Sequence, residues 1–278
     1  MSLSQIVWTG EALAAGRHRI VSLAPSTTEI LFALGAGDEV VGVSQLCDYP
    51  DAAVSKEKVG TFSQPNIEKI ISLKPDIIFC TGLEQAPVIT KLRQLGLHIF
   101  VSDPSSFEDI FLSIQRIGEL IGRSAEASLI ISRLKEDFAE LARKTAQTPE
   151  NRRPGVYVEI WHSPIMTAGK GSFLDEMISA AGGKNIAGDI GKQFCSVSPE
   201  VILERDPDFI FLAYMENEAA PDAVLKRPGW QNVSAVKNGR VYSDIEPNTL
   251  LRPGPRLVEG ARKLQERLYH QDEKQDKD

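Results

Sequence analysis

The chain has 278 residues, of which 42% are hydrophobic and 25% are charged, so it has enough apolar material for one large or two modest cores. Its 38 acidic and 31 basic residues give a formal net charge of -7, which argues against a nucleic-acid partner. No apolar run approaches the roughly 20 residues that span a bilayer. We therefore expect two domains that neither bind nucleic acid nor cross a membrane.

The cysteines and the N-terminus bear on the cellular compartment. Cys47, Cys80 and Cys195 are far apart, odd in number and form no C-x-x-C pair, which argues against a disulfide framework or a structural zinc site. Residues 1–10 lack a basic segment followed by an apolar core. We expect either a cytosolic protein or an exported one whose signal peptide is absent from the sequence.

Strand and helix patterns alternate along most of the chain. Apolar strand patterns are followed by amphipathic helix patterns from residue 19 to residue 101 and again after residue 154, and such alternation predicts parallel sheets. Between these runs lies a long helical period that is interrupted only near two glycines. The predicted fold is α/β, with two similar lobes that each contain a mostly parallel sheet, joined by a long rigid helix. The boundaries are an N-terminal lobe at 18–105, a bridging helix at 106–147, a C-terminal lobe at 154–270, and flexible ends at 1–17 and 271–278.

An internal repeat supports the two-lobe interpretation. Residues 66–79 (NIEKIISLKPDIIF) match residues 198–211 (SPEVILERDPDFIF) without a gap. Each copy predicts a helix, a Pro-Asp turn and a strand. Because ligands favour interfaces between domains, we predict a ligand site in the cleft between the lobes.

Glu68 and Glu200 occupy equivalent positions in the repeat. Each is the second helical residue after a predicted N-cap, Asn66 or Ser198. A carboxylate at this position interacts favourably with the helix dipole by about 0.3–1 kcal/mol, which is sufficient to explain either glutamate alone. The pair also fits two acidic contacts for a partner with two basic pockets, and the residues alone leave both interpretations open.

Aromatic and sulfur-containing side chains cluster in predicted loops. Such loops line ligand clefts, although an aromatic residue in a loop often only covers its own lobe. With four histidines and no ligand pair at helical spacing, we expect no metal site in the protein itself. The clustered residues are Cys47, Tyr49, Phe62, Trp161, His162, Phe194 and Cys195.

Enzyme motifs fit the sequence poorly. Residues 168–172 (AGKGS) lack the spacing of a phosphate-binding loop, and neither G-x-S-x-G nor a complete G-x-G-x-x-G occurs. We predict no catalytic residue and no cofactor. The rival hypothesis is a cytosolic enzyme or metallocluster-associated protein with a reactive thiol, and a lowered pKa at Cys47 or Cys195 would favour it.

Five segments are similar to those of a known family, namely residues 19–34 (RIVSLAPSTTEILFAL), 41–50 (VGVSQLCDYP), 66–76, 167–183 (TAGKGSFLDEMISAAGG) and 197–200 (VSPE). Through them the sequence resembles, over about residues 18–269, the bilobal substrate-binding proteins of ABC importers whose lobes are joined by one helix, especially the cobalamin-binding members. This resemblance implies a periplasmic or otherwise extracytoplasmic protein, which we expect to be a monomer, that captures a small molecule and delivers it to a membrane permease. It also implies that Glu68 and Glu200 dock onto arginines of that permease.

The resemblance further implies a set of ligand contacts. Cobalamin-binding relatives place aromatic residues at positions similar to Tyr49, Phe62, Trp161 and Phe194, and polar contacts at positions similar to Asn248 and Arg252. Flat aromatic faces suit a corrinoid, which is a metal-containing macrocycle. The sequence departs from the pattern because two expected tryptophans are phenylalanines, an aromatic near Thr81 is missing, and an acid is replaced by Asn248. Haem and ferric siderophores therefore stay open as alternatives, and an anionic siderophore would use basic residues such as Lys170, Lys192 and Arg252.

Overall fold

The computed structural model describes residues 7–8, 16–214 and 221–269. The chain divides into two compact units, Met1–Arg133 and Leu134–Asp278, and each unit has its own parallel sheet. The fold class is α/β, as predicted, and the two predicted lobes fall in different units.

The first unit contains the strands β1 Val7–Trp8, β2 Ile20–Ser22, β3 Val40–Val43, β4 Ile77–Cys80 and β5 Ile99–Val101. Its helices are α1 Pro25–Ala33, α2 Asp51–Val54, α3 Ile67–Ser72, α4 Ala86–Gln94 and α5 Phe107–Leu120, and α6 Ser124–Thr145 continues into the second unit. The strands of the second unit are β6 Gly155–Glu159, β7 Trp161–His162, β8 Ile165–Ala168, β9 Lys184–Asn185, β10 Phe194–Ser196, β11 Phe209–Leu212 and β12 Val241–Tyr242. Its helices are α7 Phe173–Ala180, α8 Pro199–Arg205, α9 Pro221–Leu225, α10 Ser234–Lys237, α11 Pro247–Leu251 and α12 Leu257–Tyr269.

The two parallel sheets share one strand order. The first sheet has the order β1-β5-β4-β2-β3, in which β2 to β5 are parallel and β1 is antiparallel to β5. The second sheet has the order β12-β11-β6-β9 and is parallel throughout. In both sheets the parallel strands therefore appear in the order fourth, third, first, second. The winding reverses between β2 and β4 in one unit and between β6 and β11 in the other, and we call each of these places a switch point.

The internal repeat forms the same structure in both units. The helices α3 and α8 each lead through a Pro-Asp turn into the third parallel strand, and the residue before the proline has a positive φ in both copies, 49° and 39°. The turn aspartates Asp76 and Asp208 accept hydrogen bonds of 2.7 Å from the backbone N–H groups of Arg19 and Gly155. Each turn thus fastens the amino end of the third strand to that of the first.

Helices cover the parallel strands, and so the central strands are buried on both faces, as in other parallel sheets. All residues of β4 and β11 are buried. The core of the first unit is built around Val21, Ile78 and Ile99, whereas that of the second unit is built around Ile210 and Trp230. These cores hold the carboxyl ends of the strands in fixed positions.

A small antiparallel sheet, β10-β8-β7, was not anticipated. The prediction that Trp161, His162, Phe194 and Cys195 lie in loops is wrong, because these residues form β7 and part of β10. Strands of two or three residues are too short to show an alternating pattern, and β10 lies far in the chain from its partner β8. The antiparallel sheet is attached directly to the end of β6.

The segment 106–147 forms two helices, so the prediction of one bridging helix is wrong. α5 ends before Gly122, which has a φ of +70°, and α6 begins two residues later. A Cβ atom at Gly118 would lie 2.6 Å from the Cβ of Ala127, so the glycine permits close packing of α5 against the start of α6. α6 begins in the first unit and ends in the second.

Residues 7–8 and 16–17 are the described parts of the segment 1–17, and its flexibility stays a prediction. Val7 and Trp8 form β1, which pairs with Val101 and Phe100 of β5. An edge strand presents unpaired N–H and C=O groups, and β1 satisfies those of β5. Arg17 also donates a hydrogen bond of 3.1 Å to the backbone oxygen of Asp38. Residues 1–6, 9–15 and 271–278 lie outside the described residues.

Candidate functional site

The predicted ligand contacts follow the carboxyl ends of parallel strands. In the first unit, Tyr49 and Phe62 lie in the connection after β3, and Thr81 directly follows β4. In the second unit, Trp161 begins β7 just after β6, and Asn248 lies on α11 after β12. Ligands of open α/β sheets bind outside the carboxyl ends of the strands at a switch point. Each unit therefore collects its predicted contacts at the edge of its sheet where a ligand is expected.

Aromatic side chains are accessible at this edge of the first unit. Tyr49 is 42% exposed and Leu46 is 54% exposed, while Phe62 is half-buried. Thr81 donates from Oγ1 to Oδ1 of Asp103 at 3.2 Å, and its N–H donates to the fully buried side chain of Gln85. The aromatic contacts predicted here are available to a ligand, whereas Gln85 was missed because a single glutamine in a loop gives no signal in the sequence.

The antiparallel sheet gathers apolar side chains on its outer face. Trp161 pairs with Met166, which pairs with Ser196, and alternation along β8 and β10 places Phe194 on the same face. Phe194 is 40% exposed, and its ring packs edge-to-face against Phe173 with 5.9 Å between centroids. The strand register therefore brings together two predicted contacts that are separated by more than thirty residues in the sequence.

The inner face of the same sheet turns toward the interior of the unit. Thr167 is buried and donates from Oγ1 to the carbonyl oxygen of Val158 at 2.8 Å, and Cys195, its partner in the register, is also buried. His162 is exposed, and its ring lies 5.5 Å from that of Tyr214. The ring of His162 also lies beside that of Trp161, with 5.2 Å between centroids. Hence the structure separates the buried Cys195 from Phe194, whereas it places His162 beside Trp161.

A fully buried carboxylate lies at the switch point of the second unit. Glu159 ends β6, and its oxygens accept hydrogen bonds from Arg227 at 2.6 and 2.7 Å. The hydroxyl of Tyr157 donates to it at 3.1 Å, and that of Tyr214 donates as well. Burial, followed by the neighbouring carboxylate, raises the pKa values of both tyrosines, and the hydrogen bond to Glu159 raises that of Arg227. We call Glu159, Tyr157, Tyr214 and Arg227 the buried ionic cluster.

Sequence reasoning missed the buried ionic cluster, although one signal was available. Glu159 interrupts the apolar run at residues 156–160 that predicts a strand. A carboxylate inside a buried strand requires a partner, since an unpaired buried charge is costly. The partner, Arg227, is 68 residues away, and no local spacing identifies it.

All three thiols are buried, and burial raises the pKa of each. Cys47 is 1% exposed, and its sulfur lies 3.1 and 3.2 Å from the hydroxyl oxygens of Thr28 and Ser44. Burial raises the pKa values of Cys47 and Cys195, and it raises the pKa of Cys80 to about 12. The structure thus presents neither Cys47 nor Cys195 as a surface contact, and it gives no support to a reactive thiolate.

We expect less than one thiol per native chain to react with a disulfide reagent at pH 8 within minutes. A raised pKa lowers the fraction of thiolate, which is the reactive form, and burial restricts access. The release of thiolate chromophore measures the reaction, and the urea-unfolded chain should release three equivalents. Rapid native reaction at Cys47 or Cys195, located by peptide mapping, would restore the rival hypothesis of a reactive cysteine.

The polar contacts predicted near the C-terminus differ in accessibility. Asn248 is half-buried on the first turn of α11, and its N–H donates to Oε1 of Glu246 at 3.3 Å. Arg252 caps the other end of α11 and is buried. Asn248 and Glu246 are therefore more accessible to a ligand than Arg252.

Glu68 and Glu200 are exposed on the first turns of α3 and α8. Asn66 caps α3 as predicted, accepting a hydrogen bond of 2.9 Å from the N–H of Lys69. Ser198 occupies the N-cap position of α8, but its side chain makes no capping hydrogen bond; its hydroxyl instead lowers the pKa of Glu200. Since the Pro-Asp turns that follow both helices lie at the amino ends of the sheets, both glutamates lie toward the carboxyl ends.

The described residues offer neither a cluster of metal ligands nor a membrane-spanning helix. Within residues 7–8, 16–214 and 221–269, no three side chains of His, Cys, Asp and Glu are grouped as metal ligands. In the same part of the chain, no helix combines the length and apolar character that a bilayer crossing requires.

Comparison with known proteins identifies the family. The sequence profile described as "Periplasmic binding protein" matches residues 20–246. The chain belongs to the periplasmic binding protein family. It is 37% identical to YvrC of Bacillus subtilis (strain 168), an uncharacterized ABC transporter substrate-binding lipoprotein, over 90% of this chain and 80% of that protein. The chain is therefore a substrate-binding protein of an ABC transporter. Proteins of this class bind a small ligand and deliver it to a permease.

Two solved structures of this family share the fold. The periplasmic vitamin B12-binding protein BtuF of Vibrio cholerae is 31% identical, with a TM-score of 0.76, over 90% of this chain and 96% of that one. The periplasmic heme-binding protein RhuT from Roseiflexus sp. RS-1 is 27% identical, with a TM-score of 0.80, over 92% of this chain and 99% of that one. Fold similarity is nearly equal for these two proteins, so it does not discriminate between their ligands.

Proposed function

We propose that the protein is an extracytoplasmic carrier that captures a corrinoid and delivers it to the permease of an ABC importer. The observation that carries the proposal is the outer face of the antiparallel sheet, where Trp161, Met166 and Phe194 form an accessible apolar surface. An aromatic and thioether surface suits a large planar macrocycle, because it supplies contact area without a fixed pattern of hydrogen bonds. The protein supplies no cofactor or metal of its own in this proposal.

The first unit contributes a second aromatic set. Tyr49 and Phe62 lie at the carboxyl edge of its sheet, beside Thr81, and we propose that they contact the ligand. Asn248 and the neighbouring Glu246 supply polar groups at the edge of the second sheet. Amide side chains of a corrin could be hydrogen-bonded by such groups without any charged ligand group being needed.

Haem is the second candidate. RhuT supports it, because that heme-binding protein matches the fold as well as the vitamin B12-binding protein does. The propionates of haem would require cations. Two lysines are exposed, Lys170 in the connection between β8 and α7 and Lys192 in the connection between β9 and β10. We favour the corrinoid because the apolar face and the nearby acid suit a ligand that carries neutral amides.

Glu68 and Glu200 are proposed as contacts for the permease. Both are exposed, acidic and equivalent in the repeat, and both lie toward the carboxyl end of their sheet. The hydrogen bond with the Ser198 hydroxyl lowers the pKa of Glu200, which favours its charged form. Two acidic side chains on rigid helices suit two arginine-lined pockets.

Thermal unfolding in the presence of candidate ligands tests the proposal. Cyanocobalamin, haemin and a ferric hydroxamate siderophore are each added to the purified protein at equal concentration. A ligand present at 100 times its dissociation constant stabilises the native state by about 2.7 kcal/mol, which raises the melting temperature measurably. We expect cyanocobalamin to give the largest rise, and we expect Phe194→Ala to reduce it. A rise with haemin alone would replace the ligand, and no rise with any of the three would reject the proposed ligand class.

A further inference from the structure

We infer that Gln85 is a positioning residue of the ligand site. It holds two parts of that site at the switch point of the first unit: the segment that carries Phe62, and the backbone of Thr81. The inference rests on the proposed function, since it concerns the same contacts. Gln85 touches no ligand in this inference and acts through the backbone of the residues that do.

The side-chain amide of Gln85 makes three hydrogen bonds, all to backbone groups. Its Nε2 donates to the carbonyl oxygens of Leu23 at 3.0 Å and Phe62 at 2.8 Å. Its Oε1 accepts from the N–H of Thr81 at 3.1 Å. Both donors and the acceptor of one side chain thus connect three separate segments of the chain.

These three segments meet where the winding of the sheet reverses. Leu23 follows β2, and Thr81 follows β4, which are the two strands that flank the switch point. Phe62 lies in the connection between β3 and α3, which contacts the sheet through the bridge of Lys58 with Val43 and folds on itself through the bridge of Gly60 with Pro65. The hydrogen bond to the Phe62 carbonyl therefore fixes the segment at the position from which its ring projects.

Burial makes this arrangement specific to glutamine. Gln85 is 0% exposed, so water does not replace its hydrogen bonds. If the amide were removed, the buried carbonyl of Leu23 and the part-buried carbonyl of Phe62 and N–H of Thr81 would lose their partner, which is costly. Thr81 is also held from its side chain by Asp103, so Gln85 and Asp103 fix this residue at two different atoms.

A fixed segment raises affinity because the ligand does not have to order it. Each loop that is ordered only on binding reduces the observed affinity by the free energy of ordering. We therefore expect Gln85→Met, which keeps a similar volume but removes the three hydrogen bonds, to weaken ligand binding by about tenfold. The matched control is Gln94→Met, which makes the same change at an exposed position at the end of α4.

The first readout requires no ligand. Hydrogen exchange measured by mass spectrometry is compared in the ligand-free native protein and in the two glutamine variants. For Gln85→Met we expect faster exchange in peptides that cover residues 60–66 and residue 81, with unchanged exchange in β2 and β4. Unchanged exchange at residues 60–66 would overturn the inference.

The second readout is a double-mutant cycle on affinity, with cyanocobalamin or haemin as the probe, according to which binds the native protein. Phe62→Ala removes the ring but keeps the carbonyl that Gln85 holds. We expect Gln85→Met to lose about tenfold in affinity in the native background but clearly less in the Phe62→Ala background, where only the effect through Thr81 remains. In the Trp161→Ala background the full loss should persist. Equal losses in all three backgrounds would show a general structural effect and overturn the inference.

The two readouts separate the inference from the proposed function. If neither probe binds the native protein, the proposed ligand class fails, and hydrogen exchange alone decides whether Gln85 fastens the segment. If a probe binds and Gln85→Met changes neither exchange nor affinity, the proposed function stands and the role of Gln85 is rejected.

Discussion

Replacing Arg227 with methionine is expected to lower the free energy of unfolding by about 3–5 kcal/mol, because it leaves the fully buried carboxylate of Glu159 without its cation. The hydroxyl groups of Tyr157 and Tyr214 would still donate to this carboxylate, but they carry no positive charge. Arg227 also lies over the ring of the buried Trp230, 4.6 Å from its centroid, so its removal loses a packing contact too. Urea unfolding followed by circular dichroism measures the effect.

Two further variants identify the cause of this loss. Arg262→Met removes a surface ion pair with Asp137, in which the two side chains are 48% and 31% exposed, and should cost less than about 1 kcal/mol. A double variant, Glu159→Leu with Arg227→Met, should recover much of the stability, because no unpaired charge remains. An Arg227→Met variant that is no less stable than Arg262→Met would show that the buried ionic cluster contributes little.

The position of the buried ionic cluster connects stability to the ligand site. Glu159 ends β6 and Tyr214 follows β11, so the cluster joins the two strands that flank the switch point of the second unit. Gln85 occupies the corresponding place in the first unit, where it joins the ends of β2 and β4. The two units therefore connect the strand ends at equivalent switch points with different side chains, a neutral glutamine in the first unit and a charged cluster in the second.

Charge reversal at both proposed docking residues should abolish uptake without affecting ligand binding. In the variant Glu68→Arg with Glu200→Arg, each basic pocket of the permease would meet a like charge, which costs several kcal/mol in related interfaces. We expect uptake of labelled cyanocobalamin to fall at least about tenfold in cells whose own copy is replaced by the variant. The dissociation constant for the ligand should change less than about twofold, because the two glutamates lie on helices outside the aromatic contact sets.

A matched control tests whether position or net charge matters. The variant Glu126→Arg with Glu204→Arg makes the same change of charge at two exposed helical positions. Uptake in this control should stay near the native level. Native uptake by the Glu68→Arg with Glu200→Arg variant, with ligand binding intact, would show that these glutamates serve the helix dipole alone.

The parts of the fold that the sequence predicts are those with local patterns. The repeat of a helix, a Pro-Asp turn and a strand identifies α3 to β4 and α8 to β11, because the proline and the aspartate have fixed geometric roles in both copies. The α/β class follows from the alternation of strand and helix patterns along the chain. By contrast, β7 and β10 are too short for a pattern, and the break between α5 and α6 depends on the conformation of Gly122.

The candidate ligand site also has features that the sequence reveals and features that only the structure reveals. Aromatic residues such as Tyr49 and Phe194 are visible in the sequence because they are unusual outside a core. The sequence does not reveal that Phe194 and Trp161 share one face, since this depends on the register of β7, β8 and β10. It also does not separate the buried Cys47 from the exposed Tyr49 two residues later.

Calorimetric titration of the purified protein with cyanocobalamin tests the central proposal most directly. We expect saturable binding of one corrinoid per chain, tighter than the binding of haemin under the same conditions. Because aromatic and apolar surface is buried, the heat capacity should fall on binding, and repeating the titration at several temperatures measures this change. Absence of binding heat with cyanocobalamin at all of these temperatures, together with saturable binding of haemin, would contradict the corrinoid assignment.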